Sequence, residues 1–306
     1  MMGLVDCMFL LLSTTQFILG MLGNNFIVWV HGSSWLKSKR ISLSDFIIII
    51  LALSRIILLS ILLFDSILTM FFYKVHQEGR VMQIIDILWT FTNHMSIWLV
   101  TCLNTFYCLK IASFSHPTFL WLKWRVSRLV AWMLLGALLL SCASATSLIH
   151  EFKIYSALIG SDVPRNMTEH VRKKSEYDML HVLGTLWNFP PLIVSLASSF
   201  LLILSLGRHT RQMQQNGTSS SDPSTEAHKR AIKIILSFLF LFLLYFIAFL
   251  IAYSSRFLPG TKVIVLTGET MTMFYPTGHT FILILGNNKL KQTFVNMMWP
   301  KARNGS

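Results

Sequence analysis

Seven stretches of about twenty residues, nearly free of charge, recur along this 306-residue chain and limit what it can fold into. A helix rising 1.5 Å per residue needs about 20 residues to cross the ~30 Å hydrocarbon core of a bilayer. The predicted spans are 7–30, 46–64 (interrupted by Arg55), 87–109, 129–149, 179–206, 234–255 and 270–288. Pro190 and Pro191 fall inside the fifth and are expected to kink it. Composition agrees: 54% of residues are hydrophobic and 13% charged, with mean hydropathy +0.59. A soluble domain carries about 25% charged residues. The fold class is therefore an all-α membrane protein, a seven-transmembrane helix bundle forming one domain over residues 1–306.

The net charge of +13 would suit nucleic acid if the basic residues formed one patch, but they recur in clusters between the apolar stretches. No nucleic-acid partner is expected. One side of the predicted topology holds sixteen Lys and Arg, in the groups 37–40, 110–128, 208–211, 229–233 and 289–303. The other side holds nine, five of them in the 149–178 loop beside Glu151, Asp162, Glu169, Glu176 and Asp178. The positive-inside rule then puts a short N-terminus outside and the tail, 287–306, in the cytosol of a multi-pass plasma-membrane protein. Trp35, Trp121, Trp124 and Trp299 fall at cytosolic helix ends, where indole rings anchor at the lipid interface. Of three glycosylation sequons, Asn166 lies in the largest outside loop and is the expected acceptor; Asn216 and Asn304 fall on the cytosolic side. The N-terminus has no basic segment ahead of its apolar stretch, so no cleaved leader is expected. Cys7, Cys102, Cys108 and Cys142 lie in or beside apolar runs without a Cys-x-x-Cys pair, and are read as buried free thiols. No metal-ligand spacing appears, and no cofactor is expected.

Ionisable groups within lipid must face the bundle interior. Arg55 lies ten residues beyond Asp45, roughly 15 Å into the membrane. His279 is ten residues from both Glu269 and Lys289, also near the midplane, and Asn24 is about 10 Å deep. A hydrogen-bonded network joining Asn24, Arg55 and His279 across the first, second and seventh spans is expected, with a structural or switching role. Toward the outside, Trp89, Asn93 and Ser96 share one face of the third span. Glu269 stands at the outer mouth of the seventh span, and Tyr245 lies about 18 Å above Lys233 in the sixth. A mostly apolar cleft with a few polar groups is the usual form of a small-molecule site, and a carboxylate beside Trp and Tyr attracts a cationic amine. Taken singly, each aromatic is better explained as core or interfacial belt than as a ligand contact.

Several motifs then point further. They include Gly23-Asn24-Asn25-Phe26-Ile27, Leu43-Ser44-Asp45-Phe46 and Leu51-Ala52-Leu53-Ser54-Arg55. Trp89 precedes Asn93-His94-Met95-Ser96-Ile97-Trp98, and Phe106-Tyr107-Cys108-Leu109-Lys110-Ile111-Ala112 leads to Phe114-Ser115-His116-Pro117. Near the C-terminus stand His279-Thr280-Phe281-Ile282-Leu283-Ile284 and Gly286-Asn287-Asn288-Lys289-Leu290. As a set, over nearly the whole chain, these resemble the type 2 (bitter) taste receptors, a family of G-protein-coupled receptors. The Asp-Arg-Tyr and Asn-Pro-x-x-Tyr motifs of rhodopsin-like receptors are absent, with Tyr107-Cys108-Leu109-Lys110 and His279-Thr280 in their places. Thr280 stands where the family commonly has Ser.

The resemblance implies a receptor for small-molecule bitter agonists that activates a heterotrimeric G protein of the gustducin/inhibitory type, and not an enzyme. It implies a ligand site at Trp89, Asn93, Tyr245 and Glu269. It places G-protein contacts at Tyr107, Lys110, His209, Arg211 and Lys229, where topology and membrane-lipid headgroups account equally well for the basic residues. The rival is a small-solute transporter or channel with Asn24, Arg55 and His279 lining a path. Seven spans form no inverted pair of repeats, which weighs against it.

Overall fold

The computed structural model describes residues 4–72, 80–159, 186–215, 223–254 and 262–298, with the pairs 171–172, 175–176, 179–180 and 183–184. Asn166, Asn216, Asn304 and Trp299 lie outside the described residues, as do the side chains of Lys229 and Glu269. The helices are α1 (Leu4–Ser38), α2 (Leu43–Phe71), α3 (Arg80–Ile111), α4 (Pro117–Trp124), α5 (Val126–Ile159), α6 (Phe189–Gln215), α7 (Pro223–Ser254), α8 (Lys262–Gly286) and α9 (Asn288–Met298). All but α4 and α9 are long enough to correspond to the seven predicted spans.

Six of these seven helices close into a ring, and α5 packs against α3. α1 packs on α2 and α8, α2 on α3, α6 on α7, and α7 on α8. α3 runs through the middle, touching α2, α5 and α6. Outward positions are large and apolar, among them Leu11, Leu22, Trp29, Ile57, Trp132, Phe200 and Phe240. With lipid as solvent such a surface needs no cover, and the inward faces can hold the polar groups. Among the described residues, α1, α2, α5, α6 and α7 are apolar enough to cross a membrane by composition alone. α3 and α8 are less apolar because they face protein: Asn93, His94, Ser96, Thr101 and Thr105 on α3, and Thr270, Thr272, Thr277, His279 and Thr280 on α8, are buried.

Short-range chemistry fixes the connections. α1 ends on Lys39, whose φ of 53° is the left-handed closure usually given to glycine. Three residues on, the Ser42 hydroxyl accepts from the Asp45 amide at 3.1 Å and opens α2. Pro117 opens α4, and Lys123 Nζ donates to the Ala112 carbonyl at 2.9 Å, closing α3. Asn287 Oδ1 accepts from the amides of Lys289 and Leu290 at 3.0 and 3.3 Å and starts α9. α9 then lies along the bundle's end, with Leu290 fully buried and Phe294 edge-on to Phe26 at 5.8 Å.

Two expectations shift. The prolines do not lie in the middle of a continuous helix: Trp187 and Asn188 form a turn that interrupts the span, and α6 begins Phe189-Pro190-Pro191. The first turn of a helix has no use for their missing N–H groups. The fourth span does not stop at residue 149 but continues as α5 to Ile159, which moves Glu151 from a loop into the helix. All four cysteines are free, but only Cys102 and Cys108 are buried; Cys7 and Cys142 are on the outer surface.

Candidate functional site

Midway along the bundle, the structure brings Arg55, His279 and Asn24 together. Arg55 is wholly buried, and its Nη2 lies 2.5 Å from His279 Nδ1. A guanidinium has only donors, so Nδ1 is the acceptor and the imidazole proton sits on Nε2. Arg55 Nη1 also donates to Thr280 Oγ1 at 3.4 Å. Thr280 Oγ1 is 3.0 Å from Asn24 Oδ1 and 2.7 Å from the Pro276 carbonyl. Asn24 Nδ2 donates to the Gly20 carbonyl at 2.7 Å, which leaves its Oδ1 turned toward Thr280. The guanidinium lies 5.7 Å from the centre of the Tyr275 ring, which stacks on His279 within 4° of parallel. Thr280 is thus the residue through which Asn24 joins the network, and its position in sequence beside His279 was the available signal.

Glycines make this closeness possible. A Cβ at Gly23 would sit 2.8 Å from Thr280 Cγ2, and one at Gly20 would overlap Leu59 on α2. α1 meets α2 and α8 here across almost no side-chain thickness.

The second group lies in the half of the bundle that holds the start of α3. Asn93 Oδ1 accepts from the Tyr245 hydroxyl at 2.8 Å, tying α3 to α7. Trp89 stacks on Phe249 at 6.3 Å, with 18° between the ring planes. Above them opens a small cleft. Trp89, Thr90, Asn93 and His94 line it from α3, and Ser144, Ser147, Leu148 and Glu151 from α5. Gly184, Trp187, Asn188 and Phe249 complete it. Trp89 and Asn93 thus face the cleft, while Tyr245 sits behind Asn93, buried within the core. His94 is held in place by Ser141 Oγ at 3.0 Å and the Trp187 carbonyl at 3.4 Å. The α5 wall was not foreseen, yet its spacing of 144, 147, 148 and 151 is one helical face.

At the opposite end the helix termini are basic. Lys110, His209 and Arg211 are exposed there, and Tyr107 is half-buried. Lys110 Nζ lies 5.3 Å from the centre of the Phe106 ring. His31 Nδ1 pairs with Asp45 Oδ1 at 3.4 Å, linking α1 to α2 at the same end.

A family model described as Taste receptor protein (TAS2R) matches residues 1–302. The chain belongs to the type 2 taste receptor family. Among its relatives is the taste receptor type 2 member 3 of Homo sapiens, 71% identical over 299 residues, covering 97% of this chain and 95% of that one. The member 3 receptor of Papio hamadryas is 69% identical over 298 residues with the same coverage, and that of Rattus norvegicus 60% over 299. As a type 2 taste receptor the chain is a multi-pass membrane protein, a seven-transmembrane bundle of the G-protein-coupled kind, and belongs among receptors, not enzymes.

Proposed function

We propose that this taste receptor detects small bitter compounds from outside the cell in the cleft above Asn93 and Tyr245, and signals through a heterotrimeric G protein of the gustducin/inhibitory type. The cleft supports this reading: a concave, aromatic-walled space with a few polar groups, at the end away from the basic helix termini. In it Trp89 serves as the stacking wall and Asn93 as the deep hydrogen-bonding group, oriented by Tyr245. Glu269 is proposed as an acceptor at the mouth. Tyr107, Lys110, His209, Arg211 and Lys229 are proposed to meet the G protein on a cytosolic face, with residues 1–306 forming one receptor domain and the N-terminus outside.

In this reading the Asn24–Arg55–His279 network couples α1, α2 and α8 and helps to hold one conformer. An agonist acts by binding the signalling conformer better; moving a 1:99 ratio to 99:1 takes about 5.5 kcal/mol of differential affinity. The test is calcium release in cells expressing a promiscuous G protein and screened with a panel of bitter compounds. Trp89→Ala should abolish the response at normal surface expression, whereas unchanged potency would place the site elsewhere. Orientation is tested by Asn166→Gln, which should speed gel migration by removing a glycan; an unshifted band would refute the outside loop.

A further inference from the structure

The α5 wall of the cleft carries a carboxylate in a setting unusual for an acid. Glu151 is only 5% exposed, yet it lines an open cleft whose other walls include Trp89, Trp187 and Phe249. It shares one helical face with Ser144, Ser147 and Leu148, which points this stripe at α3. The His94–Ser141 contact sets the two helices level with one another. From that level Trp89 lies roughly 7 Å and Glu151 roughly 15 Å toward the mouth. Going outward, the cleft therefore presents an amide, a stacking wall and then an acid. Ser144, between the deep end and the mouth, is buried with no hydrogen-bond partner for its Oγ among the described residues, which leaves a polar position on the cleft wall.

We infer that Glu151 is a counter-ion for ligands that join an aromatic ring to a protonated amine through a spacer of roughly 7 Å. The inference rests on the cleft being the agonist site and adds the class of ligand and the residue that selects it. With the ring against Trp89, the ammonium reaches the Glu151 level. There the attraction acts beside low-dielectric walls and the electron-rich faces of indole rings, where it exceeds its value in water. A carboxylate offers about four lone-pair positions, enough to hold protein donors and a ligand ammonium together. A neutral ligand of the same shape gains the stacking and loses the charge term.

The test uses two tritiated probes of equal shape, 4-(1-naphthyl)butylamine and 4-(1-naphthyl)butan-1-ol, in equilibrium binding to the full-length receptor in nanodiscs. Wild type should bind the amine about tenfold or more tightly than the alcohol, the scale of one charge-assisted hydrogen bond. Glu151→Gln should bring the amine down close to the alcohol's affinity and shift the alcohol far less, and retained alcohol binding shows that the variant is folded. No amine preference in wild type, or the same preference in Glu151→Gln, would overturn the counter-ion. Trp89→Ala separates the two readings: if it weakens both probes while Glu151→Gln changes neither, the cleft stands and the counter-ion falls. If Trp89→Ala changes neither probe, the cleft itself is wrong.

Discussion

Adding one methyl group to α1 should have opposite effects at two glycines nine residues apart. At Gly32 a Cβ would meet nothing within 4 Å, so Gly32→Ala should gain the helix preference of alanine, about 1 kcal/mol. At Gly23 the same Cβ would lie 2.8 Å from Thr280 Cγ2, closer than two carbons tolerate. The neighbour is the β-branched Thr280, whose hydroxyl is engaged with Asn24 and Pro276 at 3.0 and 2.7 Å, so its methyl cannot rotate away without breaking those contacts. Overpacking of this kind costs about 1–3 kcal/mol, which outweighs the helix gain over most of its range. Thermal unfolding in detergent, followed by thiol labelling of the buried Cys102 and Cys108, should therefore move up for Gly32→Ala and down for Gly23→Ala. The scale is roughly 2–4 °C per kcal/mol, as for domains of 150–250 residues. The decisive variant is Gly23→Ala with Thr280→Ser, which removes the clashing methyl and keeps the hydroxyl, and should recover most of the loss. A destabilised Gly32→Ala would refute the open space at residue 32, and a double variant no better than Gly23→Ala would show that the α1–α8 contact is not limited by this methyl.

Three further outcomes follow from the same structure. Tyr245→Phe removes the donor to Asn93 and should cost about 1–2 kcal/mol; a double-mutant cycle with Asn93→Leu should show coupling, and additive losses would deny the bond. His279→Leu takes away the acceptor of a buried guanidinium and should cost about 1.5–3 kcal/mol, whereas Arg55→Met with His279→Leu should lose less than the two changes summed; purely additive losses would count against a shared network. Lys39→Gly relieves a left-handed backbone and should raise stability by up to about 1 kcal/mol in the same thermal unfolding; a level or lower unfolding temperature would refute the strain.

Much of this protein was legible in one dimension because hydrocarbon leaves so few options. Seven charge-poor stretches of span length could only be helices crossing a bilayer, and the motifs around Asn24, Arg55, Trp89 and His279 carried the family resemblance. Depth along each helix was also readable, since 1.5 Å per residue converts sequence distance into height, and Arg55 and His279 could be placed at one level before any contact was known. What counting along a helix does not reveal is which neighbour it faces or where the chain stops being helical. Glu151 looked like one acid among five in a polar loop until α5 proved nearly three turns longer and turned it inward. Pro190 and Pro191 looked like a kink until a turn at Trp187 and Asn188 made them a helix start. Thr280 as the bridge to Asn24, and Gly20 and Gly23 as the places where α1 comes close, depend on rotations and separations of helices far apart in sequence. Lipid dictates that each segment be helical, but it is indifferent to how the segments are turned against one another. Only packing among the helices settles that, and with it the walls of the cleft.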